Sequence, residues 1–357
     1  MPNRPYLGFM ADNSSAMYRP HVSGTEGAVS ANNPYAARAG LEILKKGRNA
    51  FDAAAAVSLV LGAVDPHHSG IGGGCFQVFY DSRTGNYHTV DARGTAPANA
   101  YRDMFLDENG EADLELTEFS GRSAAVPAFY KAMDQLLKTY GTMTWEEVSE
   151  PAIRLCREGF HCGFSYARAS DTPEAEHNSR EFEGFKELFL NNGKPRRFGE
   201  LVRNEALADT MEAVAKYGVD WFYSGPVADE IVSQVNRYKG VFSKADLEQC
   251  RPKEREAVRG SYRGYEIISM PPPSSGGSHL IQMLNILENF DLKEMGFHSG
   301  DSIHVTAETM KLMFADRSVA MGDPDFVKIN LEKILSKDYA GELAAKIGME
   351  KARQTHE

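Results

Sequence analysis

Cysteine is scarce in this chain, with four residues, Cys75, Cys156, Cys162 and Cys250, among 357. They are too few and too scattered to form a disulfide framework in a chain this long, so free thiols are expected, although Cys156 and Cys162 are close enough in sequence to pair. Basic residues are outnumbered, 39 Lys and Arg against 50 Asp and Glu, for a formal net charge of −11. No Lys/Arg-rich run exists to concentrate positive charge, so no nucleic-acid partner is expected. Long apolar runs are missing as well. The most apolar stretch, residues 53–64, ends at Asp65 and Pro66, well short of the ~20 residues a bilayer requires. The first 18 residues mix Asn, Arg, Pro, Asp and Ser without an apolar h-region, so no secretory signal is read. These absences together predict a cytoplasmic protein with no membrane partner. There is no G-x-S-x-G elbow, H-E-x-x-H, Walker loop or C-x-x-C, and neither a metal nor a cofactor is expected.

What is present reads as a globular chain, since 42% hydrophobic and 25% charged residues provide both a core and a solvated surface. Residues 1–20 read as a flexible arm and 21–357 as the folded part, with a mainly helical middle at about 127–236. Residues 21–31 alternate small and apolar side chains with turn formers, as a short strand would. Asn33 followed by Pro34 signals a helix start, and the apolar Ala36, Ala39, Ile43 and Leu44 carry it to about residue 46. Asn49 or Asp52 opens a second helix that is apolar nearly all round, and therefore buried on several faces. Residues 75–80 and 87–91 form a hairpin about a turn at 81–85. Amphipathic helices are expected over 129–140 and 204–217. Thr144 and Glu147 form a capping box for a helix over 144–158. Residues 108–118 and 171–199 are polar and read as loop-rich or mobile. Residues 257–270 read as a strand pair about Gly264, with helices following over 279–287 and 303–320. Two layers of strands flanked by buried helices is the simplest architecture for this order.

Four motifs carry candidate chemistry, and each also has a plain structural reading. Residues 69–74 (SGIGGG) follow a helix and precede a strand, the reverse of a nucleotide-binding loop. Gly72, Gly73 and Gly74 therefore read as a tight turn packed beneath other backbone. In residues 91–97 (DARGTAP), Arg93 ends a strand, where its guanidinium could grip a carboxylate or simply form a surface ion pair. Residues 270–277 (MPPPSSGG) read as a rigid turn into the next helix, with Ser274, Ser275, Gly276 and Gly277 able to aim backbone N–H groups at an anion. Residues 314–318 (FADRS) and 322–326 (GDPDF) read as an ion-pair network at a helix end. His67 and His68, being adjacent, are expected to point their rings apart and not to share a metal. No nucleophile–base–orienter set is visible.

Taken in order, these motifs are specific. Residues 65–76 (DPHHSGIGGGCF), preceded by the apolar run, resemble the LGVVEPHxSGIGGGxF segment of the γ-glutamyltransferase family. Residues 91–97 resemble its DxRExAP segment, 271–277 its PPPSSGG segment, and 315–326 its ADRSxxxGDPDF segment. The resemblance spans about residues 23–327. It implies an α+β chain, the large-subunit domain of a four-layer αββα sandwich of the N-terminal-nucleophile hydrolase type, completed by a second, small-subunit chain. It further implies a zymogen that cleaves itself into a heterodimer. The new N-terminal Thr of the partner chain then acts as nucleophile, with its own amine as base. No catalytic residue is expected in this chain: Thr355-His356 is followed by the wrong residues for that strand. Arg93 aligns with the family arginine that holds the α-carboxylate of a γ-glutamyl donor. The activity implied is transfer or hydrolysis of a γ-glutamyl group from glutathione-like donors; where the family has Glu next to Arg93, this sequence has Gly94, a departure that opens the way to another acyl donor. Relatives acting on glutaryl or cephalosporin amides, or on oxamate, supply the alternative, alongside an inactive relative.

Overall fold

The computed structural model describes residues 22–354. The arm expected over residues 1–20 and the Thr355-His356 pair lie outside the described residues. The described chain mixes helices with short sheets in an α+β arrangement and divides into two compact units.

The first unit comprises Met1–Cys75 and Arg93–Arg251. Asn33 caps the Pro34–Lys45 helix by accepting from the Tyr35 amide, with Pro34 in the first turn. Asn49 and Asp52 form a reciprocal capping box at the start of the Ala50–Val64 helix. Alanine dominates the contact between these helices (Ala36, Ala39, Ala53 and Ala56 are buried), which lets their backbones approach closely. Asp52 is buried yet saturated. Its Oδ1 accepts from the amides of Thr142 and Met143 at 2.8 and 3.1 Å, and its Oδ2 from the Thr142 hydroxyl at 2.7 Å. One carboxylate thus caps a helix and holds the loop between the Phe129–Tyr140 and Trp145–Glu158 helices. Thr144 and Glu147 form the second capping box. An aromatic cluster closes this side: the Tyr130 ring lies 5.0 Å from Phe222 and 5.6 Å from Trp145, centre to centre.

Three expectations fail here. Residues 22–31 contain no strand, because alternation alone does not supply the neighbouring edge a ladder needs. Residues 171–199 are not loop: they hold the Pro173–Glu181 and Glu183–Phe189 helices and a short hairpin, Leu190–Asn191 with Lys194–Pro195. Thr172 caps the first of these helices, and Phe185 stacks on Phe189 at 4.5 Å. Within 108–118, Leu114–Glu118 is a short helix capped by Asp113.

The second unit comprises Phe76–Ala92 and Pro252–Glu357. The strands Cys75–Asp81 and Asn86–Ala92 lie side by side, and Lys253–Arg255 pairs antiparallel with the latter, Asp91 opposite Lys253. A second hairpin pairs Val258–Tyr262 with Tyr265–Ser269. Its two-residue turn, Arg263-Gly264, has φ of +47° and +87°, the mirror-type turn whose twist suits a hairpin. The Ser275–Leu287 helix rests on this hairpin at Gly260, where a Cβ would come within 2.4 Å of Ile281. Its other side packs Ile286 and Leu287 against Val305 and Leu312 of the Gly300–Ala320 helix and against Leu343 and Ile347.

Candidate active site

The glycine run occupies the turn between the Ala50–Val64 helix and the first strand. The Gly73 carbonyl accepts from the amides of Ala128 and Phe129 at 3.0 and 3.1 Å. No glycine of the run has a positive φ, so their use here is not left-handed backbone. The tight approach is made by Gly62 in the helix, where a Cβ would lie 3.3 Å from the Gly70 Cα. The expected packing beneath other backbone does not hold for the three glycines: Gly72, Gly73 and Gly74 are exposed, and a Cβ at Gly72 would meet nothing within 4 Å.

Arg93 leaves the Asn86–Ala92 strand directly and is exposed. Behind it the chain runs against residues 125–126: Thr95 bridges antiparallel to Val126, whose amide donates to the Thr95 carbonyl at 2.9 Å. Arg93 and the glycine turn therefore flank one common segment, residues 125–129. At Gly94 a Cβ would meet the Ala125 Cβ at 2.8 Å and the Val126 carbonyl oxygen at 3.0 Å. The missing side chain is a condition of this backbone approach.

Just upstream, Asp91 is buried and accepts from Arg255 Nε at 2.8 Å. The other end of the same guanidinium forks onto Asp325, 3.1 Å to each oxygen, and Lys253 joins it there. Hydrogen bonds from Arg255 and Lys253 hold the Asp325 carboxyl far below the usual carboxylate range. The ion-pair network expected at a helix end around residues 314–326 is not what forms, because Asp325 takes its charged partners from the Lys253–Arg255 strand. Asp316 and Arg317 bond instead to neutral groups: Asp316 accepts from Tyr339 Oη at 2.9 Å and from Gln282, and Arg317 Nε donates to Ser275 Oγ at 3.0 Å.

Residues 274–277 differ from their expected role. Ser274 is the N-cap, its Oγ accepting from the Gly276 amide at 3.2 Å, and the helix begins at Ser275, so both glycines are helical. Gly277 is required by proximity: a Cβ there would stand 2.2 Å from the Met270 carbonyl oxygen.

The histidine pair also departs from expectation. The Pro66 turn brings the His67 and His68 rings to 4.2 Å, and both face Asp65. Burial raises the Asp65 pKa, but hydrogen bonds from His67 and Asn32 outweigh it and leave the carboxyl at about 2. Local spacing gave no signal of this convergence, because it depends on the backbone path after the helix. The four cysteines are free thiols.

A family model described as gamma-glutamyltranspeptidase matches residues 36–357. The chain belongs to this family. As a γ-glutamyltranspeptidase-family chain, it is 39% identical over 94% of its length to the glutathione hydrolase proenzyme of Escherichia coli K12, and spans 58% of that protein. It is 38% identical to the acylase ACY 1 proenzyme of Pseudomonas sp. SE83, over 93% of this chain and 60% of that one. Among solved structures, the γ-glutamyltranspeptidase of Helicobacter pylori superposes with a TM-score of 0.89 at 36% identity, covering 94% of this chain and 96% of that one. The fold is therefore that of the γ-glutamyltranspeptidases, of the N-terminal-nucleophile type. Among the described residues, no helix is long and apolar enough to cross a membrane.

Proposed function

We propose that this chain is the large, non-nucleophilic subunit of a self-processing γ-glutamyltransferase or glutathione hydrolase. The observation that carries the reading is one of extent. The chain spans less than two thirds of relatives named as proenzymes, yet nearly matches one solved transpeptidase chain end to end. The nucleophile then belongs to a small subunit from the same precursor. Its N-terminal Thr hydroxyl attacks the donor's amide carbonyl while its own α-amine takes the hydroxyl proton. That proton passes to the departing amine as the C–N bond breaks, leaving an ester. Water or an acceptor amine then cleaves the ester and restores the hydroxyl. Arg93 is assigned to the donor's carboxylate, which its planar fork can hold with two parallel hydrogen bonds. The turns at Gly72, Gly73 and Gly74, and at Ser274, Ser275, Gly276 and Gly277, supply a rigid frame.

The test is the intact mass of the complete gene product after purification. Two fragments, the smaller beginning with Thr, are expected. A single uncut species carrying the downstream sequence would sink the processing claim.

One observation favours a second reading, an acylase for another acyl group. Gly94 has no room for the acidic side chain that the family motif carries there, and an acylase proenzyme is among the relatives. Comparing hydrolysis of a γ-glutamyl anilide with glutaryl and oxamate amides separates the two. Preference for the glutaryl compound would select the acylase.

A further inference from the structure

The loop leaving the Ala50–Val64 helix brings three metal-capable side chains to one point that the proposed chemistry does not use. Asp65 Oδ1 lies 3.0 Å from His67 Nε2 and 3.2 Å from His68 Nδ1, and the three ligand atoms all fall within 4.8 Å of one another. We propose that Asp65, His67 and His68 form a binding site for a divalent transition-metal ion of the zinc type.

The geometry fits such an ion. With metal–ligand bonds of ~2.0–2.1 Å, neighbouring ligands of a tetrahedral site stand about 3.3 Å apart. Both separations from Asp65 are within a few tenths of an ångström of that edge, so an ion can replace the bridging protons with little movement. The third edge closes by rotation of His68, whose side chain is 57% exposed. The same exposure gives the ion a way in. Two imidazoles and one carboxylate suit Zn²⁺ and its neighbours Co²⁺, Ni²⁺ and Cu²⁺, whereas Mg²⁺ and Ca²⁺ prefer oxygen alone.

Groups around the three ligands hold them in place. Asn32 Nδ2 donates to Asp65 Oδ2 at 2.6 Å, which leaves Oδ1 turned towards the rings. Asp65 itself is 2% exposed. The His67 ring stands edge-on to Tyr166 at 5.7 Å, and its Nε2 is 2.8 Å from Ser165 Oγ. That hydroxyl is placed to orient a water in a fourth coordination position. The amides of His68 and Ser69 donate to the Asp65 carbonyl at 3.0 Å each, which fixes the loop. The family segment has Glu where this chain has Asp65 and leaves the His68 position open. His67 matches the His of that segment, so the departures are Asp65 and His68, and an ion held by all three would pin the helix end to the glycine turn.

The test uses the complete purified protein, stripped with a chelator and titrated with Zn²⁺ by calorimetry, with Co²⁺ as a visible probe. Expected are one equivalent of Zn²⁺ removed from solution at micromolar or tighter affinity, a four-coordinate Co²⁺ band, and a higher Tm with Zn²⁺ but not Mg²⁺. His68→Ala changes an exposed side chain and is expected to fold. It should weaken Zn²⁺ binding by at least about tenfold and abolish the Co²⁺ band. Binding no zinc in tenfold excess, or equal binding by wild type and His68→Ala, would overturn the proposal. Catalytic activity does not enter the readout, so the outcome is independent of the assigned reaction.

Discussion

Gly94 offers a sharp test of how this backbone is built, because the two atoms that exclude a side chain there are known. A Cβ at this position would stand 2.8 Å from the Ala125 Cβ and 3.0 Å from the Val126 carbonyl oxygen, whereas favourable carbon–carbon contact begins at about 3.5 Å. Gly94→Ala must therefore push residues 94–95 away from 125–126, across the bond from the Val126 amide to the Thr95 carbonyl. Overpacking of this kind costs about 1–3 kcal/mol. The narrower unfolded ensemble of alanine returns about 0.4–1 kcal/mol, so the variant should lose about 1–2 kcal/mol overall.

The second half of the test removes the nearer obstacle. Ala125 is exposed, so Ala125→Gly alone should cost only the added unfolded-state freedom, about 0.5–1 kcal/mol. In the double variant the Cβ–Cβ clash is gone and only the Val126 oxygen remains. The pair should then be about 1 kcal/mol more stable than the sum of the two single changes. Urea unfolding of all four proteins with a common slope measures this. Additivity within about 0.3 kcal/mol would show that Gly94 is not held by Ala125, and the steric account of the missing acidic side chain would fall with it.

Other consequences are independent of that cycle. Arg93→Ala should raise KM for donors bearing a carboxylate and leave self-cleavage intact, and an unchanged KM would refute the assigned contact. Burial pushes the Cys156 thiol up to about 12 and Cys162 to about 11, so only the partly exposed Cys75 should react quickly with a thiol reagent in the native protein. Rapid labelling of a second cysteine would contradict this. Burial works to raise the Glu308 pKa, but hydrogen bonds from Lys311 and the Arg353 amide outweigh it and lower it. A lowered folded pKa stabilises above the unfolded value near 4.5 and is lost as pH falls through the folded one. The stability gap between wild type and Glu308→Gln should therefore narrow on acidification from pH 6 to 3.5. A gap that stays constant would mean that this carboxylate titrates alike in both states.

Legibility in the sequence followed the range of the physics. Helix caps at Asn33, Asn49 and Thr144 were readable because a cap joins residues two or three apart. The Arg263-Gly264 hairpin turn was readable for the same reason. Two of the failures turned on contacts that local spacing does not show, and one had a local signal that polarity hid. Residues 22–31 alternate like a strand, yet a ladder depends on an available edge. The polarity of residues 171–199 masked the Thr172-Pro173 helix start and the Phe182, Phe185 and Phe189 stripe, both visible in retrospect. Residues 270–277 read as a turn ahead of the helix, yet Gly276 and Gly277 lie inside it. One of them, Gly277, exists so that the helix can start against the Met270 carbonyl, a contact with no local signature.

The candidate site shows why motif reading stops short. Residues 91–97 and 322–326 were recognised as separate blocks, and each had an independent structural reading. They are joined through Arg255, which belongs to neither block and carries no motif. Its guanidinium takes buried Asp91 on one side and Asp325 on the other. Asp91 lies near the end of the strand that precedes Arg93, and the register of that strand, Thr89 opposite Arg255, is what brings Arg255 to Asp91. A charged residue on a short strand between two motifs reads as solvated surface in one dimension. Only the register converts it into the group that ties the GDPDF loop to the strand ahead of Arg93.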